Sequence, residues 1–444
     1  MMSTPRRSRQ NKKSSKKLIW IFSIIIIIGL VIGLSMTMSG FFDDEAENDD
    51  DGDLVESDSD SEQQEDENID EEEQLDEEEQ LDEEEPEPEP VETFTDIRIA
   101  AVGDIMVHST QLTSAYDNES GTYNFKPVFE DVKQILNAAD LTIANLETTT
   151  AGPSREYTGY PIFNSPDELI DAIKYAGVDV LSTANNHSLD TGRDGLKRTV
   201  SVIREKGLDS VGTYDENSDG RVLIKDVDGI KIAILSYTVS TNGLGAQYAK
   251  EDLDSMLNMM EEEKIMSDIR EAKSLGADLI ITYMHWGQEY MPEPNEKQVQ
   301  LAHRMAEEGA DVILGSHPHV IQKSEFIETN GRQTFVIYSM GNFVSNQRIE
   351  TLGSEYENTE DGVIVNLDIR KSDLTGETTI QNVEYVPTWV LRHMEQGKSK
   401  YTYRILPIEI FLLSEEISEE FKKRMERSYD ATITKMDETP IEEN

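Results

Sequence analysis

From Ile97 onward, short apolar runs rich in β-branched residues alternate with amphipathic segments. The runs "IRIAAVGD", "LTIANLE", "VDVLSTANN", "IKIAILSYT", "LIITYMHW", "VILGSHPH" and "TFVIYSMGN" have the length and composition of buried strands. Between them "SPDELIDAIKYAG", "RDGLKRTVSVIREKG", "DIREAKSLG" and "NEKQVQLAHRMAEEG" carry helical periodicity. Ser165 stands as a cap for the first and Gly177 as its stop. Such alternation predicts an α/β layered domain. The later runs "GVIVNLDIR", "TIQNVEYVPTWV" and "YRILPIEIF" follow one another without helices, which predicts a second, antiparallel sheet completing a sandwich. One large domain is expected over 93–413, followed by an exposed, charged helix and tail over 414–444.

The first ninety residues have a different texture. Seven Lys/Arg and no acid occupy 1–17, and Leu18–Phe42 contains no charged residue. About 25 apolar residues would span about 37 Å as a helix, enough for a bilayer core with some tilt. The basic cluster before the run and Asp43–Asp44 after it orient the N-terminus to the cytoplasm and the rest outside. A cleaved signal peptide is the alternative, but its apolar region is usually about 7–15 residues. The expectation is a single-pass signal anchor at 18–42 in the cell membrane.

Charge and cysteine usage narrow the picture further. The net charge of −50 is concentrated in 43–92, where 30 Asp/Glu occur without a Lys or Arg, partly as the repeat "EEEQLDEEEQLDEEE". Such a segment cannot bury enough apolar surface to order itself and is expected to be a disordered stalk. Without cysteine, the outer domain has no disulfide framework and must rely on its core and any metals it binds. Nucleic acid is not expected as a partner of so acidic a chain.

The candidate chemistry collects at strand ends, where ligands gather in α/β sheets. Asp104 and His108 end the first strand, Asn145 and Glu147 the second, and Asn186, His187 and Asp190 the third. His285 closes "MHWG", and His317 and His319 lie in "GSHPHV". Five of the seven histidines therefore sit at expected strand ends, while His303 falls in a helix and His393 after a late strand. Extended backbone around Pro318 would send His317 and His319 to the same side. Each of these residues alone has an ordinary explanation as a cap, loop or core residue. Together they form a mixed nitrogen and oxygen donor set suited to manganese, iron(II) or zinc. The loop "REYTGYPIFNSP" places Arg155, Tyr157, Tyr160 and Phe163 nearby, and Trp286 follows His285. These side chains either rim a groove for an anionic or amide-rich chain or pack the loop onto the domain. Asn342 in "SMGNF" is either a support for a ligand or a turn residue.

In the order and content of "GDIMVH", "NLE", "ANNHSLD", "MHWG", "GSHPHV" and "SMGNF", residues Ile97 to Trp389 resemble the poly-γ-glutamate capsule biosynthesis family, CapA (PgsA in some systems). That family's domain is similar to the calcineurin-like metallophosphoesterases. The resemblance implies a phosphoesterase-type sandwich with two divalent ions. It assigns Asp104, His108 and His319 to one ion, Asn186, His285 and His317 to the other, and Glu147 to both. His187, held by Asp190, is the implied proton donor. Departures from the phosphoesterase pattern favour the capsule family: D-x-x-x-H in place of D-x-H, Glu147 in place of an aspartate, and Asn185 where a glycine usually stands. Three functions fit this reading. The first is an outward-facing component of poly-γ-glutamate synthesis or export, working with synthase membrane subunits and the polymer itself. The second is a metal-dependent hydrolase of extracellular phosphoesters or wall polymers. The third is a non-catalytic scaffold.

Overall fold

Two sheets pack face to face, with helices on both outer sides. In the first, strands Leu141–Leu146, Val180–Ser182 and Asp209–Val211 follow Phe94–Ile105 in parallel. In the second, Ile230–Thr238, Leu279–His285, Val312–Ser316 and Arg332–Ile337 run parallel, edged by Leu223–Val227 and Ser324–Thr329. The computed structural model describes residues 91–394 and 396–436. The basic tail, the apolar run 18–42 and residues 43–90 of the acidic segment lie outside the described residues. Among the described residues, no helix is long and apolar enough to cross a membrane.

Strand alternation sorts the core into layers. Ile97, Ile99 and Ala101 meet Ile232, Ile281 and Leu314 between the sheets, while Ala100 and Val102 turn outward toward Leu169 and Ile173. On the far side, Ile265 and Ile269 of helix Glu262–Ser274 and Ala302 and Met305 of helix Glu296–Glu308 cover the second sheet. Burial of each large aliphatic side chain in these layers contributes roughly 1.5–3 kcal/mol. Polar ties join the sheets near the carboxyl ends of their strands. The Tyr283 hydroxyl donates to the Val102 carbonyl at 2.8 Å, and the Ser182 and Ser236 hydroxyls meet at 2.7 Å.

The sandwich is present, but it is assembled differently from the expectation. The late strands Asp361–Ser372, Thr378–His393 and Thr402–Pro407 do not form the second sheet. They extend the first, antiparallel, from the edge of Phe94–Ile105 that the parallel strands leave open. "YRILPIEIF" stops being a strand at Pro407 and turns into helix Ile408–Leu412. Ser165 does not cap helix Glu168–Ala176; its hydroxyl pairs with Thr148 at 2.9 Å. The helix expected to be exposed after Leu413, Glu419–Met436, is packed: Met425 and Met436 are buried, and Arg424 and Arg427 pair with Glu360 and Asp361.

Candidate metal centre

Strand Phe94–Ile105 delivers Asp104 past an irregularity in its pairing with Leu141–Leu146. Gly103 is needed there, because a Cβ would lie 2.0 Å from the Gly341 carbonyl oxygen. Asp104 is fully buried: Oδ1 accepts from Asn145 Nδ2 at 2.7 Å, and Oδ2 faces His319 Nδ1 at 3.0 Å. Burial alone would raise the Asp104 carboxyl. The hydrogen bond and charge of His319, with the Asn145 amide, outweigh it and hold the group below its usual range.

Glu147 follows the second strand and is also fully buried. Its Oε2 accepts from Asn145 Nδ2 at 3.3 Å, whereas Oε1 has no hydrogen-bond partner among the described residues. Oε1 lies 3.7 Å from His285 Nε2 and 3.8 Å from His319 Nε2. Burial first, and the neighbouring Asp104 carboxylate second, push the Glu147 carboxyl well above its ordinary value. His285 ends the Leu279–His285 strand, with Nε2 2.9 Å from Asn186 Oδ1 and Nδ1 2.9 Å from Ser316 Oγ. Its imidazole is held neutral by burial, reinforced by His317 and His319.

His317 and His319 do not converge through extended backbone. The strand ends at Ser316, and both histidines adopt left-handed conformations, φ 95° and 58°. Such non-glycine conformations cost of order 1–3 kcal/mol each and persist where surroundings hold them. Here the Asp104 carboxylate accepts from the His317 N–H at 3.4 Å, Tyr290 N–H donates to the Pro318 carbonyl at 2.7 Å, and Asn342 Nδ2 donates to the His319 carbonyl at 3.3 Å. The turn brings the His317 ring within 4.6 Å of His285, centroid to centroid. Buried His317 Nδ1 has no hydrogen-bond partner among the described residues, and burial lowers the ring's pKa to about 4.

Two donor groups result, Glu147 with His317 and His319, and Asp104 with Glu147 and His285, each with ligand atoms within 4.8 Å of one another. Glu147 is common to both. This grouping pairs the histidines differently from the resemblance, and His108 joins neither set. His108 Nδ1 instead faces Gln111 Oε1 and the Asn346 N–H, each at 3.3 Å, and burial lowers its pKa to about 4. The residues fit divalent ions. They combine imidazoles, two carboxylates and an amide oxygen, and leave a buried carboxylate oxygen and a buried ring nitrogen without partners among the described residues.

Beside this cluster His187 Nδ1 pairs with Asp190 Oδ2 at 2.7 Å, and that same oxygen accepts from the Phe163 N–H at 2.6 Å. The buried Phe163 ring meets both His187 and His108 edge-on, with centroids 4.7 and 5.3 Å away. Tyr160 is 72% exposed and Arg155 is exposed without an ion pair among the described residues, while Tyr157 packs against Tyr123. Trp286 is not a rim residue. Its indole is buried on Tyr338 and its N–H donates to the Tyr338 carbonyl at 2.9 Å. Asn342 is fully buried and ties the His319 carbonyl to that of Thr359.

Asn145, named only as a strand-end candidate and given no ligand or proton-transfer role, contacts Asp104, Glu147, His285 and Asn185. The two-residue alternation of "NLE" placed it on the same side as Glu147 and was the available signal. Ser316, which orients His285, and Asn346, which faces His108, had no comparable signal.

A family model described as bacterial capsule synthesis protein PGA_cap matches residues 98–347. The PGA biosynthesis protein CapA of Bacillus subtilis (strain 168) is 33% identical over 291 residues, 64% of this chain and 70% of that protein. The capsule biosynthesis protein CapA of Bacillus anthracis is 32% identical over 259 residues, 56% of this chain and 60% of that protein. Among solved structures, the calcineurin-like phosphoesterase YfkN from Bacillus subtilis aligns with a TM-score of 0.40 at 17% identity, covering 77% of this chain and 99% of that one.

Proposed function

Because the chain belongs to the bacterial capsule synthesis protein family PGA_cap, we propose that it serves poly-γ-glutamate synthesis or export as a membrane-anchored, outward-facing component whose metal centre acts on or grips the emerging polymer. The relatives named for PGA and capsule biosynthesis support the polymer. The uncharged run Leu18–Phe42 behind seven basic residues supports the anchor and its orientation. The observation that carries the site's role is the buried, unpartnered Oε1 of Glu147 between His285 and His319.

In this reading Asp104, Glu147, Asn186, His285, His317 and His319 hold two divalent ions, manganese, iron(II) or zinc. Ions held by these residues would activate water and offset charge developing on a phosphoryl or carbonyl oxygen. The chain's own contribution is orientation and proton transfer. Asp190 fixes the His187 ring so that it can hand a proton to a leaving oxygen. Exposed Arg155 and Tyr160 offer an anionic amide polymer a charge and an aromatic face. Membrane subunits of the polymer synthase are the proposed partners.

A second reading, a metal-dependent hydrolase of phosphoesters or wall polymers, draws on the His187–Asp190 pair, which mere gripping of a polymer would not need. Deleting the gene in its own host and re-expressing wild type or Glu147→Ala separates these readings. The proposal expects cell-associated glutamate polymer to vanish on deletion and return with wild type only. Polymer unchanged by deletion would favour the hydrolase, and full restoration by Glu147→Ala would favour a scaffold.

A further inference from the structure

The segment matched by the family model ends at residue 347, yet the C-terminal helix Glu419–Met436 is wired to residues inside that segment. Three connections run from the helix to the site. In the first, Arg424 NH1 donates to Glu350 at 2.7 Å, and Glu350 lies 3.7 Å from Arg392. Arg392 NH1 donates to Asn346 Oδ1 at 3.1 Å, and the Asn346 N–H faces His108 Nδ1 at 3.3 Å. In the second, Arg427 NH1 donates to Asn358 Oδ1 at 2.8 Å. The next residue, Thr359, accepts through its carbonyl from Asn342 Nδ2 at 2.9 Å, and the same amide nitrogen holds the His319 carbonyl. In the third, Lys435 Nζ donates to the carbonyl of Ile321, two residues beyond His319.

These routes converge on His108 and on the turn that carries the left-handed His317 and His319, whose conformations persist only where surroundings hold them. The two arginines lie one helical turn apart, so a single helix face serves both routes. Both end in bidentate or multiply bonded carboxylates: Arg427 grips Asp361 through two nitrogens, and Arg424 grips Glu360. We infer that helix Glu419–Met436 is a positioning clamp for the His319 turn of the metal centre and for His108 beside it, with Arg424 acting through Asn346 on His108 and Arg427 acting through Asn342 on His319. The inference rests on the metal-centre reading for its consequence and on geometry alone for its mechanism.

The two branches differ in what they hold, so they can be separated in the full chain. Amide hydrogen exchange is measured first, with no metal added, on wild type, Arg427→Gln, Arg427→Lys and Glu350→Gln. Arg427→Gln should speed exchange about tenfold in 317–322 and 342–344. Glu350→Gln should do so around 108–111 and 345–347, and the strand Ile230–Thr238 should be unchanged in every variant. Arg427→Lys, which keeps the charge, should fall between wild type and Arg427→Gln. Manganese titration of the same proteins should then show about tenfold weaker binding for Arg427→Gln, the low end of the loss seen when a residue supporting a ligand is removed. Faster exchange confined to 419–436 and 357–361, or spread evenly over the domain, would overturn the clamp. If wild type takes up no manganese, the metal-centre reading fails, and the segment-selective exchange still decides the clamp.

Discussion

Two clusters in this domain bury carboxylates, and they balance them in opposite ways. Around Glu360, which is 1% exposed, every acceptor is used: Oε1 takes Arg424 and the Ile349 N–H, and Oε2 takes Arg424 Nε and Trp389 Nε1, each at 3.1 Å. Buried Arg348 adds a second guanidinium 3.6 Å away, though its Nη2 makes no hydrogen bond among the described residues. Among the described residues, no lysine or arginine pairs with Glu147. Its neighbours are a second carboxylate, imidazoles and an amide, and Oε1 is left without a partner. A buried acid whose oxygens are all met by guanidinium, indole and amide donors is a finished structural element, whereas a pair of buried acids among imidazoles and amides, with one oxygen unpartnered, fits a cation from outside.

The largest effect that separates the clusters is the loss of an acid from the balanced one. Glu360→Ala strands Arg348 and Arg424 and should lower unfolding free energy by about 3–5 kcal/mol, read in urea. A loss under 1 kcal/mol would show that the two clusters are not different in kind. Next in size is the response to metal. Manganese or zinc at about one hundred times its dissociation constant should stabilise wild type by roughly 2.7 kcal/mol. Glu147→Ala should remove that gain, and Glu350→Gln should keep most of it. Equal stabilisation of the Glu147→Ala protein would place the ion elsewhere.

Smaller, and opposite in sign to the Glu360 result, is the effect of neutralising the unbalanced cluster. In metal-free protein at neutral pH, Glu147→Gln should raise stability by about 1 kcal/mol, because it removes the cost of burying an acid that burial and the Asp104 carboxylate both disfavour ionising. A clear loss instead would mean that the carboxylate is already satisfied. The smallest effect concerns pH. Partial burial works to raise Glu350, but hydrogen bonds from Arg424 and Arg348 draw it down from 4.5 to about 2. Its contribution is therefore fully present above about pH 4.5 and fades as pH falls toward 2. The melting-temperature difference between wild type and Glu350→Gln should shrink across that acid window, and a difference that grew there would reverse the assignment.

The parts of this arrangement legible in the sequence were those set by local periodicity. Strand ends at Asp104, Glu147 and His285 followed from apolar run length, and helix stops such as Gly177 from composition. The convergence of His317 and His319 was legible, but its cause was not. Left-handed turns at two histidines are held by Asp104, Tyr290 and Asn342, which lie 213, 28 and 23 residues in sequence from His317, Pro318 and His319, the residues they respectively hold. The misplacement of the late strands has a related origin. Alternation tells a strand which face it buries, but not which free edge it joins. The burial of helix Glu419–Met436 was hidden by its charges, since Arg424 and Arg427 read as a solvated face until Glu360 and Asp361 are seen beneath them.

The central claim, that the unbalanced cluster is built for cations, is tested most directly by elemental analysis of the full chain after exposure to manganese, zinc or iron(II) and removal of excess. Wild type should hold about two ions per chain. His187→Ala, which alters a residue outside both donor groups, should hold the same, and Glu147→Ala should hold almost none. A wild-type chain that stays empty, or a Glu147→Ala chain as fully loaded as wild type, would contradict the account.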